Sequence, residues 1–266
     1  MERIRKILNE RKVLIGMVHI RPLPGTPYYN GESLEEIERY ALNDAKALED
    51  AGFDAVIFAN EGDRPYIGRA DMETLAYMTR VVSRVSEKIS MPFGVALLVD
   101  PFATLTLAKA VDAQFVRIYL SGAFAGFFGL QTFSPGEILR HRKRIGAEEI
   151  AIFSNVTPHA GISLDTRSLE GIVDDLITFS SPEAILISGI RAGKAPDFEQ
   201  VKRLKDVYPS VKFLVSTGVN EGNVEDALRC SDGVIVGTCL KREGILWNPV
   251  DPEKARRFVK KARQYT

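Results

Sequence analysis

The sequence has little of what marks disulfide-rich, nucleic-acid-binding or membrane proteins. Only two cysteines occur among its 266 residues, Cys230 and Cys239, so a disulfide framework is excluded and we expect two buried thiols. The 35 basic and 35 acidic side chains cancel to a formal net charge of zero. Proteins that bind nucleic acid or an anionic membrane need a basic surface, so neither partner is predicted. A small anionic ligand is compatible with this balance.

Long apolar stretches are also missing. None approaches the length that crosses a bilayer, and the N-terminal MERIRKILNERK lacks the apolar core of a secretion signal, so we expect a cytoplasmic protein. The hydrophobic fraction of 45% and the charged fraction of 26% are ordinary for a globular chain and argue against disorder.

Apolar runs of strand length recur eight times and alternate with helical patterns. The runs begin at residues 13, 54, 92, 115, 149, 184, 212 and 233. Helical spacing is clearest over 33–52, 71–89 and 197–209, and capping residues stand at Ser33, Asp71 and Asp251. Strands that are apolar on both faces suit a parallel sheet covered by helices. Eight strand–helix units therefore predict an α/β fold, a single (β/α)8 TIM barrel over residues 1–266.

The alternative is an open, doubly wound sheet. That fold would need a glycine-rich phosphate fingerprint after its first strand, and GMVHIRPLPG does not supply one. Ahead of the first strand, Ile4, Ile7 and Leu8 share one face of a short helix. We expect this helix to plug the floor of the barrel rather than to bind a partner.

Polar residues end the predicted strands, where the active site of this fold lies. The candidate catalytic residues are His19, Asn60, Asp63, Asp100 and Asn155. His19 suits a general acid or base, and a hydrogen-bonded structural histidine is the alternative. Asp63 and Asp100, with Glu61, could transfer protons or hold a divalent metal, while the asparagines would orient the substrate. The carboxylate spacing matches no tight ligand motif, so neither a metal nor a cofactor is assigned.

Two loops near the C-terminus end their strands on small residues, in VSTGVNEGN (215–223) and VIVGTCLK (234–241). The loops after the last two strands of this fold commonly hold phosphate with unpaired main-chain amides. The predicted phosphate-binding residues are Ser216, Thr217, Gly218, Val219, Gly237, Thr238 and Arg191. The alternative is that Gly218 only permits a tight turn.

Cationic side chains are predicted near both parts of the site. Around the phosphate loops they either form an anion-binding cluster or are solvated loop charges, and they are Arg191, Lys194, Lys241 and Arg242. Arg117 lies on the inner face of the fourth predicted strand, where a lone buried cation would be costly. We therefore expect Asp63 or Asp100 to pair with it.

Two further loops could close over the site. The loop at 21–31 is stiffened by three prolines, and SGAFAGFFGLQTFSPG at 121–136 joins glycines to four phenylalanines. The second composition suits a mobile apolar lid or a subunit contact, so a homo-oligomer stays open as an alternative.

Four motifs together resemble the BtpA family, which includes a cyanobacterial factor for photosystem I biogenesis and SgcQ-like proteins. They are GMVHIRPLPGTP (16–27), NEGDRPY (60–66), STGVNEGN (216–223) and VGTCLK (236–241). The resemblance implies a barrel of the ribulose-phosphate-binding type. By position it carries over His19, Asn60, Gly62, Asp63, Pro65, Gly218, Asn223 and Gly237.

The sequence departs from the family pattern at three places. Ala59 stands where the family has Glu, ALLVDP (96–101) replaces Asn-x-x-Arg-Asn-Asp, and Asn155 with the lysine-free PHA (158–160) replaces an Asp and Lys-His. These changes remove polar groups from the mouth while keeping the phosphate loops, so the substrate differs or the chemistry has weakened.

Two hypotheses about function follow. The leading one is an enzyme acting on a small phosphorylated sugar or nucleotide-like metabolite, as an isomerase, an aldolase or lyase, or a glycosidic-bond hydrolase. The alternative is a non-catalytic assembly factor that binds another protein, as the biogenesis role of a relative implies.

Overall fold

The centre of the computed structural model, which describes residues 2–158, 161–189 and 194–266, is a closed barrel of eight parallel strands. The strands of the chain are β1 (Val13–His19), β2 (Ala55–Ala59), β3 (Phe93–Ala96), β4 (Phe115–Tyr119), β5 (Gly122–Gly126), β6 (Gly129–Phe133), β7 (Ala151–Asn155), β8 (Gly161–Ser163), β9 (Ala184–Ile187), β10 (Phe213–Val215) and β11 (Gly233–Val236). The barrel runs β1-β11-β10-β9-β7-β4-β3-β2, and β1 pairs with both β11 and β2 to close it. The predicted TIM-barrel fold is confirmed.

One helix precedes β1 and others follow the strands, and those that follow the strands cover the outside of the barrel. The helices are α1 (Glu2–Glu10), α2 (Leu34–Ala51), α3 (Met72–Ser86), α4 (Pro101–Ala110), α5 (Pro135–Arg144), α6 (Leu169–Ser180), α7 (Phe198–Val207), α8 (Val224–Cys230) and α9 (Pro252–Ala262). Ser33, Asp71 and Asp251 cap α2, α3 and α9 as their sequence signals predicted. Over the described ranges, no helix is both long and apolar enough to cross a bilayer.

The short helix α1 plugs the floor of the barrel. Ile4 and Leu8 are 0% and 3% exposed and pack with inward-facing barrel residues such as Val13 and Ile15. Burying each of these side chains contributes about 1.5–3 kcal/mol. The predicted role of this helix is confirmed, and the chemistry is left to the opposite end of the barrel.

The segment predicted as a lid over 121–136 contains a β-hairpin. β5 and β6 pair in antiparallel fashion, with Phe127 and Phe128 as a two-residue turn between the paired Gly126 and Gly129, and β8 adds a third strand. Gly129 has φ +77°, a conformation that glycine adopts at little cost. Composition alone does not reveal the hairpin, because its signal is the alternation of side chains between the two faces of each strand.

Candidate functional site

A cavity of about 270 Å³ lies at the C-terminal ends of the barrel strands. The predicted site residues that line it are His19, Asp100, Asn155, Ser216, Thr217, Gly218, Val219, Gly237 and Thr238. Asn60 and Asp63 are buried without lining it, and Arg191 lies outside the described residues. The structure thus brings both predicted phosphate loops and the predicted acid–base histidine to one cavity.

Main-chain amides of the two loops stand unpaired along this cavity. The Ser216 amide donates to Ile187 O at 3.1 Å, which continues the ladder between β10 and β9. Beyond it, five amides donate no hydrogen bond to any residue that the structure describes, those of Thr217, Gly218, Val219, Gly237 and Thr238. Buried amides are nearly always paired, so this concentration of free donors is typical of a ligand site.

Local hydrogen bonds orient two of these amides. Asn223 Nδ2 donates to Gly218 O at 3.0 Å, and Gly237 O accepts from Leu240 N at 3.0 Å. The C=O and N–H of a trans peptide point in opposite directions. The amides that follow, on Val219 and Thr238, therefore point away from these anchors, and both residues line the cavity.

The two glycines are needed for different reasons. Gly218 has φ +75°, and a Cβ there would come within 2.1 Å of Ala195 N, so close chain packing and the turn both require glycine. A Cβ on Gly237 would lie 3.0 Å from Cε1 of His19. Gly237 therefore leaves room for the imidazole, while Gly218 lets two loops approach.

The predicted cation cluster around the phosphate loops does not form among the described residues. Lys241 is 1% exposed and binds Asp44 at 2.5 Å, because a cation at this buried place needs a carboxylate. The other Asp44 oxygen accepts from Val250 N at 2.7 Å. Lys194 and Arg242 are exposed and do not line the cavity.

His19 lies at the mouth as a neutral imidazole. Burial, helped by the positive charges of Lys241 and Arg117, lowers the pKa of His19 well below 6.5. Its Nδ1 atom is buried without a hydrogen-bond partner in the described part of the chain. A neutral imidazole with an unpaired nitrogen can accept a proton from, or donate a hydrogen bond to, a ligand in the cavity.

Arg117 lines the cavity without the carboxylate partner predicted for it. Within the described ranges, no Asp or Glu oxygen lies within 4.0 Å of its guanidinium. Its hydrogen bonds go to Asn155 Oδ1, from Nε and Nη2, each at 3.4 Å. The prediction of a pair with Asp63 or Asp100 is wrong, because both carboxylates are engaged by other groups.

Asp63 and Asn60 fasten loops together. Asp63 Oδ1 accepts from Leu23 N at 2.8 Å, and its Oδ2 accepts from Asn60 Nδ2 at 3.1 Å. Asn60 Oδ1 accepts from Leu98 N at 2.7 Å. Burial raises the pKa of Asp63 to about 6. The two side chains thus hold the loops that follow β1 and β3 against the loop after β2.

Asp100 has a similar fastening role although it lines the cavity. Its Oδ1 accepts from Phe102 N and Ala103 N at the start of α4, and its Oδ2 accepts from Ala70 N at 3.0 Å. In the described ranges, no group of three or more His, Cys, Asp and Glu side chains is arranged to hold a metal ion. The predicted carboxylate cluster with Glu61 and Asp63 is therefore not assembled.

Glu61 is a second carboxylate that lines the cavity, together with Asp100, Arg117 and His19. Burial raises its pKa, and the Tyr66 hydroxyl and the charges of Arg117 and Lys241 counteract the shift. Cys239 also lines the cavity, but burial raises the pKa of its thiol to about 12, so it is protonated at neutral pH.

The β5–β6 hairpin forms a roof over the cavity. Phe128 packs on Tyr66 with ring centroids 5.2 Å apart, and both line the cavity. Gln131 of β6 lines it too, and its buried Nε2 has no partner in the described part of the chain. Sequence reasoning missed Gln131. The alternation of β6, with Leu130 exposed and Gln131 turned inward, is the signal that could have found it.

The loop at 21–31, the other predicted lid, is held in place. Besides the bond from Leu23 to Asp63, the guanidinium of Arg64 lies 4.2 Å from the Tyr28 ring and 3.7 Å from the Trp247 ring. These contacts tie the loop after β1 to the loop after β11, beside a second cavity of about 310 Å³ that also reaches His19.

Comparison with known proteins assigns the family. The sequence profile of the BtpA family matches residues 10–264. The chain is 35% identical to the sgc-region protein SgcQ of Escherichia coli over 97% of both chains, and 30% identical to the photosystem I biogenesis protein BtpA of Synechocystis over 92% of this chain and 86% of that one. Phosphoribosyl anthranilate isomerase of Thermus thermophilus has the same fold, with a TM-score of 0.59 at 13% identity over 96% of this chain and all of that one. Thiamine phosphate pyrophosphorylase of Pyrococcus furiosus also has this fold, with a TM-score of 0.58 at 15% identity over 98% of each chain. The chain belongs to the BtpA family.

Proposed function

We propose that this protein is an enzyme that acts on a small phosphorylated metabolite, a sugar phosphate or nucleotide-like compound, bound in the cavity of about 270 Å³. The observation that carries the proposal is the set of unpaired amides on the loops after β10 and β11, which open to the same cavity as His19. Such amides bind phosphate oxygens by hydrogen bonds that need no side chain. Two solved neighbours are named for phosphorylated compounds, phosphoribosyl anthranilate and thiamine phosphate, and this supports the ligand class.

The reaction we assign is proton transfer on the bound metabolite, as in an isomerase or lyase. His19 is neutral and has an unpaired nitrogen, so it serves as the general base. Glu61, whose pKa is raised by burial, is its partner as a proton carrier, and Asn155 orients the substrate. Asn60, Asp63 and Asp100 act as positioning residues through the loops they fasten.

A lysine Schiff base is not part of this proposal. Among the described residues that line the cavity there is no lysine, because the nearby Lys241 is buried against Asp44. Of the reactions compatible with the sequence, those that need an imine with the enzyme are therefore disfavoured.

Phosphate binding can be tested amide by amide. We expect inorganic phosphate, followed by NMR on ¹⁵N-labelled protein, to shift the amide signals of Gly218, Val219, Gly237 and Thr238. The amide of Ser216 is the internal control, because it already donates to Ile187 O. Binding should also raise the melting temperature, because phosphate at a hundredfold excess over its Kd adds about 2.7 kcal/mol to the free energy of unfolding. If only other amide signals shift, or if none does, the two loops do not bind phosphate and the proposal is wrong.

A second candidate function, contact with another protein chain as an assembly factor, is favoured by the outer face of the hairpin sheet. Leu130, Ala125 and Ile162 lie side by side across β6, β5 and β8. Leu130 and Ile162 are 68% and 67% exposed, and Leu164 and Phe127 extend the apolar surface. A contiguous apolar patch of this kind is typical of a protein contact.

If the protein is an assembly factor, a substitution on the outer face of the hairpin sheet should impair association with another chain without changing ligand binding in the cavity. Ile162→Asp should abolish association with a second chain, whether another copy or a different protein, as followed by sedimentation velocity. Met72→Asp is the control, because Met72 is 83% exposed on α3 and outside the sheet. Equal behaviour of the two variants contradicts a role for the sheet face.

A further inference from the structure

The guanidinium of Arg117 lines the cavity without a carboxylate within 4.0 Å among the described residues. Its hydrogen bonds run only to the neutral Asn155, at the long distance of 3.4 Å, and its Nη1 donates to no described residue. Arginine stays charged in proteins, so burial cannot remove this charge. A buried cation without a counter-ion is costly, and a ligand anion is what would stabilise it.

No carboxylate in the described lining pairs directly with Arg117, although the charge of Glu61 acts on it from beyond 4.0 Å and opposes the effect of burial on the pKa of Arg117. Glu61 makes no ion pair with Arg117, and Asp100 is held by the amides that start α4. Arg117 is also the one Arg or Lys among the described lining residues. The cavity therefore offers one fixed cation besides the neutral amides of the phosphate loops.

Two further lining residues each carry a buried nitrogen without a partner. His19 Nδ1 and Gln131 Nε2 are buried without a hydrogen bond in the described part of the chain, and both residues line the cavity. An amide nitrogen such as Gln131 Nε2 is a donor only, so it calls for an acceptor oxygen on the ligand. Gln131 reaches the cavity from the hairpin roof, whereas Arg117 comes from the barrel strand β4.

We propose that the ligand is a phosphorylated carboxylate, with its phosphate on the amides of Val219 and Thr238, its carboxylate on Arg117, and an oxygen accepting from Gln131. The assignment rests on the proposed function, because the phosphate end is the one proposed above. A carboxylate fits Arg117 better than a second phosphate does. The parallel N–H groups of a guanidinium suit either anion, but a single cation balances the single charge of a carboxylate and not the higher charge of a phosphate.

The test uses two matched pairs of compounds that differ only in a carboxylate. The pairs are 6-phosphogluconate with glucitol 6-phosphate, and 3-phosphoglycerate with glycerol 3-phosphate, each titrated into the full-length protein by calorimetry. We expect the carboxylate member of at least one pair to bind about 10- to 100-fold more tightly, as a charge-assisted hydrogen bond confers. This comparison uses the unmodified protein, so its result does not depend on whether a variant folds.

Variants assign the preference to the guanidinium. Arg117→Met should reduce the difference within the pair to less than about twofold while leaving the affinity for the alcohol member unchanged. Arg117→Lys keeps the charge and should retain part of the preference. Arg242→Met is the matched control, because Arg242 is exposed and does not line the cavity, and its preference should equal that of the unmodified protein.

The outcomes separate the two proposals. If the carboxylate and the alcohol bind equally in both pairs, the carboxylate site is overturned, and the proposed phosphate site on the two loops is unaffected. A preference that survives Arg117→Met also overturns it. If inorganic phosphate and all four compounds fail to bind, the proposed phosphate function fails, and the carboxylate inference fails with it.

Discussion

The buried ion pair between Lys241 and Asp44 allows a sharp prediction about stability. Their side chains are 1% and 9% exposed, and Lys241 Nζ lies 2.5 Å from Asp44 Oδ2. The pair joins the end of the loop after β11 to α2. Lys241→Met keeps an apolar stem of similar length and removes the charge, so the Asp44 carboxylate stays buried with Val250 N as its remaining donor.

The expected cost follows from that uncompensated carboxylate. Breaking a buried pair from one side costs about 3–5 kcal/mol, and because Asp44 keeps one main-chain bond we expect about 3 kcal/mol. The double variant Lys241→Met/Asp44→Asn should recover much of this loss. An asparagine at 44 can still accept from Val250 N, and it carries no charge.

Urea unfolding at neutral pH measures these free energies of unfolding. The control is Lys143→Met, because Lys143 pairs with Glu148 at 79% and 46% exposure, and an exposed pair contributes about 0–1 kcal/mol. A loss for Lys241→Met no larger than that for Lys143→Met would refute the reasoning. A double variant as unstable as the single one would show that the buried charge of Asp44 is not the cause.

Three further predictions concern the site. Gly218→Ala should lower the melting temperature, since its Cβ would overlap Ala195 N, whereas Gly237→Ala should mainly displace His19 and shift its NMR signals. The pKa of His19, read by NMR, should lie well below 6.5 and should rise in Lys241→Met. Below about pH 6.5 His19 binds a proton in the unfolded chain but not in the folded one. The free energy of unfolding should therefore fall as the pH drops, and His19→Gln should remove this slope. Asp63 acts in the opposite direction. Its pKa rises from 3.8 to about 6 on folding, so the free energy of unfolding should fall by about 3 kcal/mol as the pH rises between those values, and Asp63→Asn should lack that fall.

The barrel could be predicted from the sequence because its signals are local. Apolar runs fix strands, and capping residues such as Ser33 fix helix starts through bonds within three residues. The two loops predicted to bind phosphate could be placed at strand ends for the same reason, since each is a contiguous stretch. The hairpin of β5 and β6 has local signals too, but they lie in alternation: Gly122, Phe124 and Gly126 share one face of β5 and the alanines take the other, a pattern that composition alone conceals.

The charges of the site could not be predicted in this way, because they depend on contacts far apart in the chain. Lys241 is paired by a carboxylate 197 positions away, so its sequence neighbours did not indicate burial. The carboxylates of Asp63 and Asp100 looked available, yet main-chain amides of other loops occupy them. Which charge is left unpaired is therefore a property of the assembled barrel.

The departure at position 59 leaves the inner face of β2 without the carboxylate that the family resemblance implies there. Ala59 is fully buried inside the barrel, in register with His19 on one side and with Ala96 on the other, and β3 then pairs with β4, which carries Arg117. The resemblance to the BtpA family implies a glutamate at this position, on the same inward face. With a methyl group there and a second on Ala96, neither position supplies a carboxylate on the two strands that lie between His19 and Arg117. The ligand carboxylate that we propose would supply the direct partner that Arg117 lacks within 4.0 Å among the described residues.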